Sequence, residues 1–402
     1  MDFTSLYSES CLRLKSSKIR ELFKMAKAPG IISMAGGMPD SQNLPFNEVK
    51  EIINSWSFDK AKNALQYGTT KGYPPLLEGI KDLMIKKKNI SMDDQEIIVT
   101  TGSQQALSIL SKLFIEKDDA VIVEIPSFIG AIAAFYSYMG QPVGVAIDDN
   151  GIIIDDLVKK IEGLRAENRK VKFIYTIANF NNPSGVTLEQ KRRKELLEAS
   201  CKYGVPVIED DPYGDLYFDG DEADYRPIKS IDKYNNVIYL GTFSKILSPG
   251  IRVGWVVAPK ELVAKIELQK QSLDACTPTL SQVIAYDYLA KGYIEAYTSK
   301  MRPIYKEKRD AMLSALQTYM PDQVSWTKPK GGLFVWLTLP GHMDSEDVFK
   351  TAVKKNVAFV TGDAFLPADS PKNYIRLTFG DLPVDKITSG VEILAGVIGD
   401  ML

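Results

Sequence analysis

The chain alternates short apolar runs with amphipathic segments from residue 97 to about residue 257. The apolar runs are rich in Val and Ile and end at polar or turn residues, as buried strands do. They predict seven strands, at residues 97–100, 120–124, 142–146, 172–177, 206–209, 237–241 and 253–257. Helical spacing of apolar residues predicts helices between them, at residues 104–114, 129–138, 154–164 and 188–203. The alternation predicts an α/β fold, with a mostly parallel seven-stranded sheet covered by helices on both faces.

The pattern changes beyond residue 280. A long helical segment over residues 281–317 comes before short strands and two further helices, which is typical of an α+β unit. The strands are expected at residues 325–326, 332–339, 357–360 and 374–378, and the helices at residues 344–355 and 384–400. A helical segment at residues 12–28 is expected to join this unit. We therefore expect a large domain over residues 46–300 and a small domain formed by residues 1–45 with residues 301–402.

Composition narrows the class of protein. The chain has 402 residues, and its 49 basic and 51 acidic residues give a net charge of −2, which does not favour nucleic acid or an anionic membrane as a partner. The uncharged stretch at residues 125–147 is broken by prolines and glycines, so it does not predict a spanning helix. The three cysteines are widely spaced and fit a reducing compartment, and the N-terminus lacks the pattern of a signal peptide. We expect a cytoplasmic protein without a membrane or nucleic-acid partner.

Histidine and cysteine usage limits the chemistry further. The single histidine, His342, follows a Pro-Gly turn, and no two cysteines are close in sequence. A zinc site or a Ser-His-Asp hydrolase is therefore not expected, and we predict no metal. Acid–base chemistry must come from Lys, Tyr, Asp or Glu.

Lys245 is the leading candidate for that chemistry. It follows an apolar predicted strand in the sequence Thr242-Phe-Ser244-Lys245, and Arg252 comes seven residues later. Burial and a nearby cation both lower the pKa of a lysine and free its amine to form an imine. Thr242, Ser244 and Arg252 together could hold a phosphate. A lysine that forms an imine beside a phosphate pocket indicates pyridoxal phosphate (PLP).

Three further polar motifs follow predicted strands, where ligands of parallel sheets bind. In Asp210-Asp-Pro-Tyr213, the first carboxylate could keep a pyridine nitrogen protonated, and the phenol could reach a ring hydroxyl. Ser103 and Gln104 begin a predicted helix, whose free N–H groups bind phosphate well. The third motif is Asn182-Pro-Ser-Gly185. Taken singly, each motif has a structural alternative, because acidic residues and serines cap helices and Asn-Pro with Gly forms turns.

Four pieces follow one another along the chain: Asn182-Pro-Ser-Gly185, Asp210-Asp-Pro-Tyr213, Thr242-Phe-Ser-Lys245 and Arg252. In this order they resemble the motifs of the fold-type I, PLP-dependent aminotransferases of class I/II. The resemblance covers nearly the whole chain. It is closest to the kynurenine/2-aminoadipate, multi-substrate subgroup, through the pieces Ile32-Ser-Met-Ala-Gly-Gly37, Ala64-Leu-Gln-Tyr67, Gly72-Tyr-Pro-Pro-Leu76, Thr101-Gly-Ser-Gln-Gln105, Ile208-Glu-Asp-Asp-Pro-Tyr213 and Tyr374-Ile-Arg376-Leu-Thr-Phe379.

The resemblance implies a role for each matching residue around the cofactor. Lys245 would bind PLP covalently and move the substrate proton, and Asp210 would pair with the pyridine nitrogen. Asn182 and Tyr213 would contact the ring hydroxyl, and Phe128 stands where the subgroup usually has a stacked Tyr, so the hydroxyl contact is lost. The residues implied around the phosphate are Ser103, Gln104, Thr242, Ser244 and Arg252.

The same resemblance implies contacts with the substrate and a neighbouring subunit. Arg376 would bind the substrate α-carboxylate, with Gly36 or Gly37 beside it. Tyr67 would reach the phosphate of the neighbouring subunit, which implies a homodimer with shared active sites. As structural alternatives, the glycine pair could be a tight turn and Tyr67 a core aromatic residue.

The implied reaction is a ping-pong transamination, with an L-amino acid as donor and a 2-oxo acid, most plausibly 2-oxoglutarate, as acceptor. We expect a broad donor range that includes 2-aminoadipate and aromatic or long aliphatic amino acids. Arg20 in the N-terminal helical segment could pair with an acidic substrate side chain. It could equally be a surface cation, like Lys18 and Lys24 nearby.

Other functions remain open on the same scaffold. PLP-dependent lyases and decarboxylases share it, because a fold does not choose a chemistry. A non-catalytic PLP-binding effector domain of a GntR-type regulator is a second alternative. Such regulators carry an N-terminal winged helix, and we expect none because the matching pieces begin at Ile32. A nucleotide-binding protein is disfavoured, since the sequence lacks both glycine-rich phosphate-loop patterns.

Overall fold

A computed structural model describes residues 3–13, 30–366 and 370–402. The strands of this part are β1 Ile32–Ser33, β2 Gln95–Thr100, β3 Ala120–Ile125, β4 Gln141–Asp148, β5 Gly151–Ile152, β6 Val171–Thr176, β7 Val207–Asp210, β8 Val237–Thr242, β9 Gly254–Pro259, β10 Ser325–Trp326, β11 Phe334–Thr338, β12 Val357–Ala358, β13 Val360–Thr361 and β14 Tyr374–Thr378. The α-helices are α1 Glu9–Arg13, α2 Phe46–Asn54, α3 Phe58–Ala64, α4 Pro74–Lys86, α5 Ser103–Phe114, α6 Ile129–Ser137, α7 Ile154–Ala166, α8 Gln190–Tyr203, α9 Lys260–Gln271, α10 Thr279–Ala290, α11 Tyr293–Tyr319, α12 Ser345–Lys354 and α13 Val384–Gly399.

The central sheet has the strand order β2-β9-β8-β7-β6-β3-β4-β5. The run from β8 through β7, β6 and β3 to β4 is parallel, whereas β9 is antiparallel to both β2 and β8. The α/β prediction is confirmed, but the count of seven strands is wrong because the sheet has eight. The additional strand, Gly151–Ile152, is a two-residue antiparallel extension of β4. Two residues are too few to show a periodic pattern.

Helices cover both faces of this sheet because its inner strands are apolar on both sides. Successive residues of a strand point to opposite faces, and Val207 and Ile208 of β7 accordingly belong to two separate apolar clusters. Leu107 of α5 packs in the cluster that contains Ile208, and Leu157 of α7 packs in the cluster that contains Val207. Each fully buried aliphatic side chain stabilises the fold by about 1.5–3 kcal/mol.

A second, α+β region follows the central sheet in sequence. Four antiparallel strands are arranged in the order β10-β11-β14-β13, and β1 pairs in parallel with β12. The 27-residue helix α11 packs against α13. The strand predicted at residues 357–360 is divided into β12 and β13. The helix predicted at residues 12–28 lies mostly outside the described residues, and the boundaries of the two domains stay predictions.

No helix within residues 3–13, 30–366 and 370–402 combines the length and apolar character needed to cross a bilayer.

Candidate active site

A cavity of about 370 Å³ lies at the carboxyl ends of the parallel strands. The sheet topology explains this position, because the loops after β6, β7 and β8 leave the same edge. The predicted site residues that line the cavity are Gly37, Ser103, Gln104, Phe128, Asn182, Asp210, Tyr213, Thr242, Ser244, Lys245, Arg252 and Arg376. The fold therefore brings together residues that are up to 339 positions apart (376 − 37).

Lys245 has its amine inside this cavity. Its Nζ donates a hydrogen bond to the carbonyl oxygen of Gly37 at 2.7 Å and lies 5.9 Å from the centre of the Tyr213 ring. Burial, assisted by the charges of Arg376 and Arg252, lowers the pKa of Lys245 to about 8. The neutral, nucleophilic fraction of this amine near neutral pH is therefore much larger than that of an ordinary lysine.

Asp210 lines the same cavity and has an unsatisfied acceptor. Its side chain is buried, and Oδ2 accepts a hydrogen bond from the Tyr175 hydroxyl at 3.1 Å. Oδ1 has no hydrogen-bond partner among the described residues. Burial raises the pKa of Asp210 to about 7, the Tyr175 hydrogen bond opposes the rise, and Asp211 adds to it. A buried acceptor without a donor is costly, so this atom fits a ligand that brings a cationic N–H group.

Arg376 places a buried positive charge at the cavity. Its Nη1 donates to Oδ1 of Asn182 at 2.9 Å, and its Nη2 donates to the carbonyl oxygen of Ala35 at 2.5 Å. The guanidinium lies 4.6 Å from the ring centre of Phe334 and 4.8 Å from that of Phe365. Burial lowers the pKa of Arg376 to about 10, which leaves the group positively charged at neutral pH. A planar cation in apolar surroundings fits a carboxylate.

The start of α5 forms an anion-binding corner. Gly102 has a φ of 74°, and a Cβ atom there would lie 2.6 Å from Nη2 of Arg252, so the turn requires glycine. Ser103 and Gln104 open the 12-residue helix, whose first N–H groups lack partners within the helix. Thr242 accepts from the backbone N–H of Ser244 at 3.1 Å and places both hydroxyls beside this corner. The combination fits a phosphate group.

Tyr213, Asn182 and Phe128 complete the walls. Burial raises the pKa of Tyr213, so its hydroxyl stays protonated. Its ring packs edge-on against Phe334, with centres 5.7 Å apart. Asn182 also interacts with the Tyr213 hydroxyl. Phe128 immediately precedes α6 and lines the cavity.

Two predicted residues do not line this cavity, and a third is not described. Gly36 is partly buried but is not among the residues that line the cavity. Tyr67 has an exposed fraction of 87% and does not line this chain's own cavity. Arg20 lies outside the described residues.

The structure adds neighbours that sequence patterns did not reveal. Met38, Ile129, Ile177, Pro212 and Pro249 also line the cavity. Tyr175 lies behind Asp210 in an ordinary apolar strand, so nothing in its local sequence distinguishes it. No group of three or more His, Cys, Asp or Glu side chains that could hold a metal occurs within the described residues.

Comparison with known proteins gives the class of this site. The sequence profile of the family described as Aminotransferase class I and II matches residues 30–394. The chain therefore belongs to this family.

Individual relatives agree with that assignment. Aromatic-amino-acid aminotransferase 1 of Thermococcus litoralis is 44% identical, over 99% of this chain and 95% of that protein. The crystal structure of Pyrococcus horikoshii kynurenine aminotransferase, in complex with PMP, is 42% identical and covers 100% of this chain and 98% of that one, with a TM-score of 0.96. A third relative is LysN, the α-aminoadipate aminotransferase of Thermus thermophilus, whose crystal structure contains N-(5'-phosphopyridoxyl)-L-leucine. Its sequence is 34% identical to this one, and the match covers 100% of this chain and 99% of the LysN chain, with a TM-score of 0.89.

The protein is accordingly a PLP-dependent aminotransferase that moves the amino group of an amino acid to a 2-oxo acid. The cavity fits this cofactor on its own evidence. Asp210 has a free buried acceptor for a protonated ring nitrogen, the corner at Gly102 suits a phosphate, and Lys245 has an amine that can form an imine.

We predict that the apoprotein reacts with PLP faster as the pH rises through about 8, because only the neutral amine of Lys245 attacks the aldehyde. The rate is followed by the absorbance change of the cofactor across a pH series. Arg376→Leu should move the midpoint to higher pH, since the Arg376 charge helps to lower the pKa of Lys245. Arg192→Leu, which removes a surface cation paired with Asp148, is the matched control. A wild-type midpoint near 10.5, the ordinary lysine value, would contradict the prediction.

Proposed function

We propose that Lys245, Asp210 and Arg376 carry out the chemistry of this aminotransferase. The observation that carries the proposal is the free, buried Oδ1 of Asp210 in the same cavity as the amine of Lys245. Asp210 ends β7 and Lys245 follows the adjacent parallel strand β8, so these two residues would hold PLP, Asp210 at the ring nitrogen and Lys245 at the aldehyde. PLP, when bound, withdraws electrons from the substrate Cα.

Lys245 acts twice in the proposed reaction. Its amine would hold PLP through an imine, and the amino group of the substrate would take its place there. The amine, once free, would serve as the base that removes the proton from Cα and as the acid that returns it. The lowered pKa suits both tasks, because the amine gains and loses a proton near neutral pH.

Asp210 keeps the ring nitrogen protonated, and Tyr213 and Asn182 fix the ring hydroxyl. The nitrogen would stay protonated because the buried carboxylate stabilises an adjacent positive charge. Tyr213 and Asn182 are both buried, so their hydrogen-bonding groups have few competing partners. Phe128 covers one side of the ring.

Arg376 binds the α-carboxylate of the substrate. Two N–H groups of a guanidinium match the two oxygens of a carboxylate, and its side-chain contacts with Asn182 and the two Phe rings hold it in place. Ser103, Gln104, Thr242, Ser244 and Arg252 hold the phosphate at the start of α5.

Asp210→Asn is expected to lower kcat by at least about a hundred-fold, because an amide cannot keep the ring nitrogen protonated. The measurement is steady-state transamination at saturating donor. Asp211→Asn is the matched control, since Asp211 is also buried but interacts with Tyr239 and Lys88 instead of the cavity. Asp211→Asn should lower the unfolding temperature clearly and lower kcat only slightly. Activity of Asp210→Asn within a few-fold of wild type would refute the assignment.

The substrate side chain meets apolar walls. Met38, Ile129 and Ile177 line the cavity together with Phe128. Such walls favour aromatic and long aliphatic donors with broad specificity. Relatives named for aromatic amino acids, 2-aminoadipate and kynurenine support this range. We propose 2-oxoglutarate as the acceptor, and Arg20 as the group that pairs with acidic side chains.

Arg20→Ala should lower kcat/KM for 2-aminoadipate by about ten- to a hundred-fold and leave kcat/KM for leucine nearly unchanged. The reason is that a charge-assisted hydrogen bond contributes roughly 1.5–3 kcal/mol. A panel of amino-acid donors with 2-oxoglutarate provides the measurement. Lys18→Ala, which removes a nearby cation from the same segment, is the control. Equal losses for both donors would show that Arg20 does not contact the side chain.

We also propose a homodimer with shared active sites in the cytoplasm. Phe46, Phe58, Leu65 and Tyr67, the exposed apolar group, have exposed fractions of 71%, 84%, 77% and 87%. Several large apolar side chains exposed within one segment of the chain support an interface, because contiguous exposed apolar surface marks interaction sites. Tyr67 would then reach the phosphate of the partner. The three cysteines are free, which suits a reducing cytoplasm.

Phe58→Glu is expected to convert the dimer to a monomer and to reduce cofactor affinity, because it places a charge within the exposed apolar group. Analytical ultracentrifugation at micromolar concentration gives the mass. Tyr234→Glu is the matched control at a distant exposed aromatic with an exposed fraction of 72%. A wild-type protein that is monomeric and fully active would contradict the dimer.

A further inference from the structure

Tyr175 is a buried tyrosine directly behind the cavity. It is fully buried, and its hydroxyl donates to Oδ2 of Asp210 at 3.1 Å. Strand register explains the contact. Tyr175 of β6 is paired with Ile208 of β7, and Ile208 shares a face with Asp210 two residues later. The two side chains therefore lie on the same side of the sheet.

The Tyr175 ring is itself held in place. Phe135 of α6 contacts it in an edge-to-face arrangement, with ring centres 5.6 Å apart and an angle of 73° between the planes. A packed ring keeps its hydroxyl at one position, and that hydroxyl occupies one oxygen of Asp210. The other oxygen, Oδ1, is left without a partner among the described residues, and Asp210 is one of the residues that line the cavity.

We propose that Tyr175 is a positioning residue that orients Asp210 and keeps its carboxylate charged, so that Oδ1 receives the ring nitrogen of the cofactor. The inference rests on the proposed role of Asp210. It assigns to Tyr175 no contact with the cofactor or the substrate.

Electrostatics give the direction of the effect. Burial and the neighbouring Asp211 raise the pKa of Asp210, and the Tyr175 hydrogen bond is what lowers it. Loss of the hydroxyl would raise the pKa of Asp210 further, because a charged acceptor would lose its donor. The proton shared by Asp210 and the ring nitrogen would then lie more on the carboxyl group. An unprotonated ring withdraws electrons less strongly.

The chain contains a matched control in Tyr239. This tyrosine is also buried, lies on the neighbouring strand β8 and donates to Oδ2 of Asp211 at 3.0 Å. It is paired with Glu209, on the face opposite to that of Asp210. Tyr239→Phe therefore removes an equivalent buried hydrogen bond one residue away, without altering Asp210 directly.

The test uses 4'-deoxypyridoxine 5'-phosphate labelled with ¹⁵N in the ring, a probe that lacks the aldehyde and cannot react with Lys245. The ¹⁵N chemical shift of the bound probe at neutral pH reports whether the ring nitrogen is protonated. We expect Tyr175→Phe to move the signal toward the unprotonated value. Tyr239→Phe should match wild type. Circular dichroism checks that both variants fold.

A second measurement follows the holoenzyme. Tyr175→Phe should lower kcat by about ten- to a hundred-fold with a smaller change in KM, since the lost contact is a hydrogen bond to a charged group. Tyr239→Phe should keep kcat within about two-fold of wild type while showing a comparable fall in unfolding temperature.

The outcomes separate this inference from the proposed function. A wild-type signal in Tyr175→Phe, with a displaced signal in Asp210→Asn, overturns the role of Tyr175 alone. A wild-type signal in Asp210→Asn overturns the role of Asp210 and this inference with it. Equal displacement in both tyrosine variants shows a general disturbance of the sheet and also overturns it.

Discussion

The parallel pairing of β7 with β8 is the constraint on which the active site depends. Asp210 ends β7 opposite Leu240, and Lys245 lies three residues beyond the end of β8. Burial of this sheet edge penalises both charges, so it raises the pKa of Asp210 to about 7 and lowers that of Lys245 to about 8. Burial thus frees the amine of Lys245 for attack, whereas it makes the charged form of Asp210 costly, so that this carboxylate depends on the Tyr175 hydrogen bond and on a cationic partner.

The same burial has an energetic cost that the cofactor can offset. Buried polar atoms without partners, such as Oδ1 of Asp210 and Nε of Arg376, destabilise a protein by about 1–3 kcal/mol each. A ligand that satisfies such groups binds the folded state and stabilises it. The apolar clusters on both faces of the sheet supply the stability that allows these groups to remain buried. The polar atoms that lack partners in the cavity are therefore the same atoms that favour the binding of PLP.

Sequence patterns predicted the sheet and its parallel character, because the strands have apolar runs that alternate with helical segments. They also predicted the polar residues that follow strand ends, whereas Arg376, Gly37 and Phe128 came from the family resemblance. They missed the strand Gly151–Ile152, since two residues carry no period. They also missed Tyr175, whose contact with Asp210 depends on strand register between segments 35 residues apart. The exposure of Tyr67 is a property of the folded surface, which local patterns do not contain. Arg20 lies outside the described residues, so its role still depends on resemblance alone.

Borohydride reduction of the purified PLP-loaded protein, followed by peptide mapping with mass spectrometry, tests the central claim most directly. Reduction makes the link between the cofactor and its lysine permanent. The burial and low pKa of Lys245 predict that the phosphopyridoxyl mass is found on the peptide that contains this residue. The mass on any other lysine, or distributed over several exposed lysines, would contradict the assignment of Lys245 and with it the proposed mechanism.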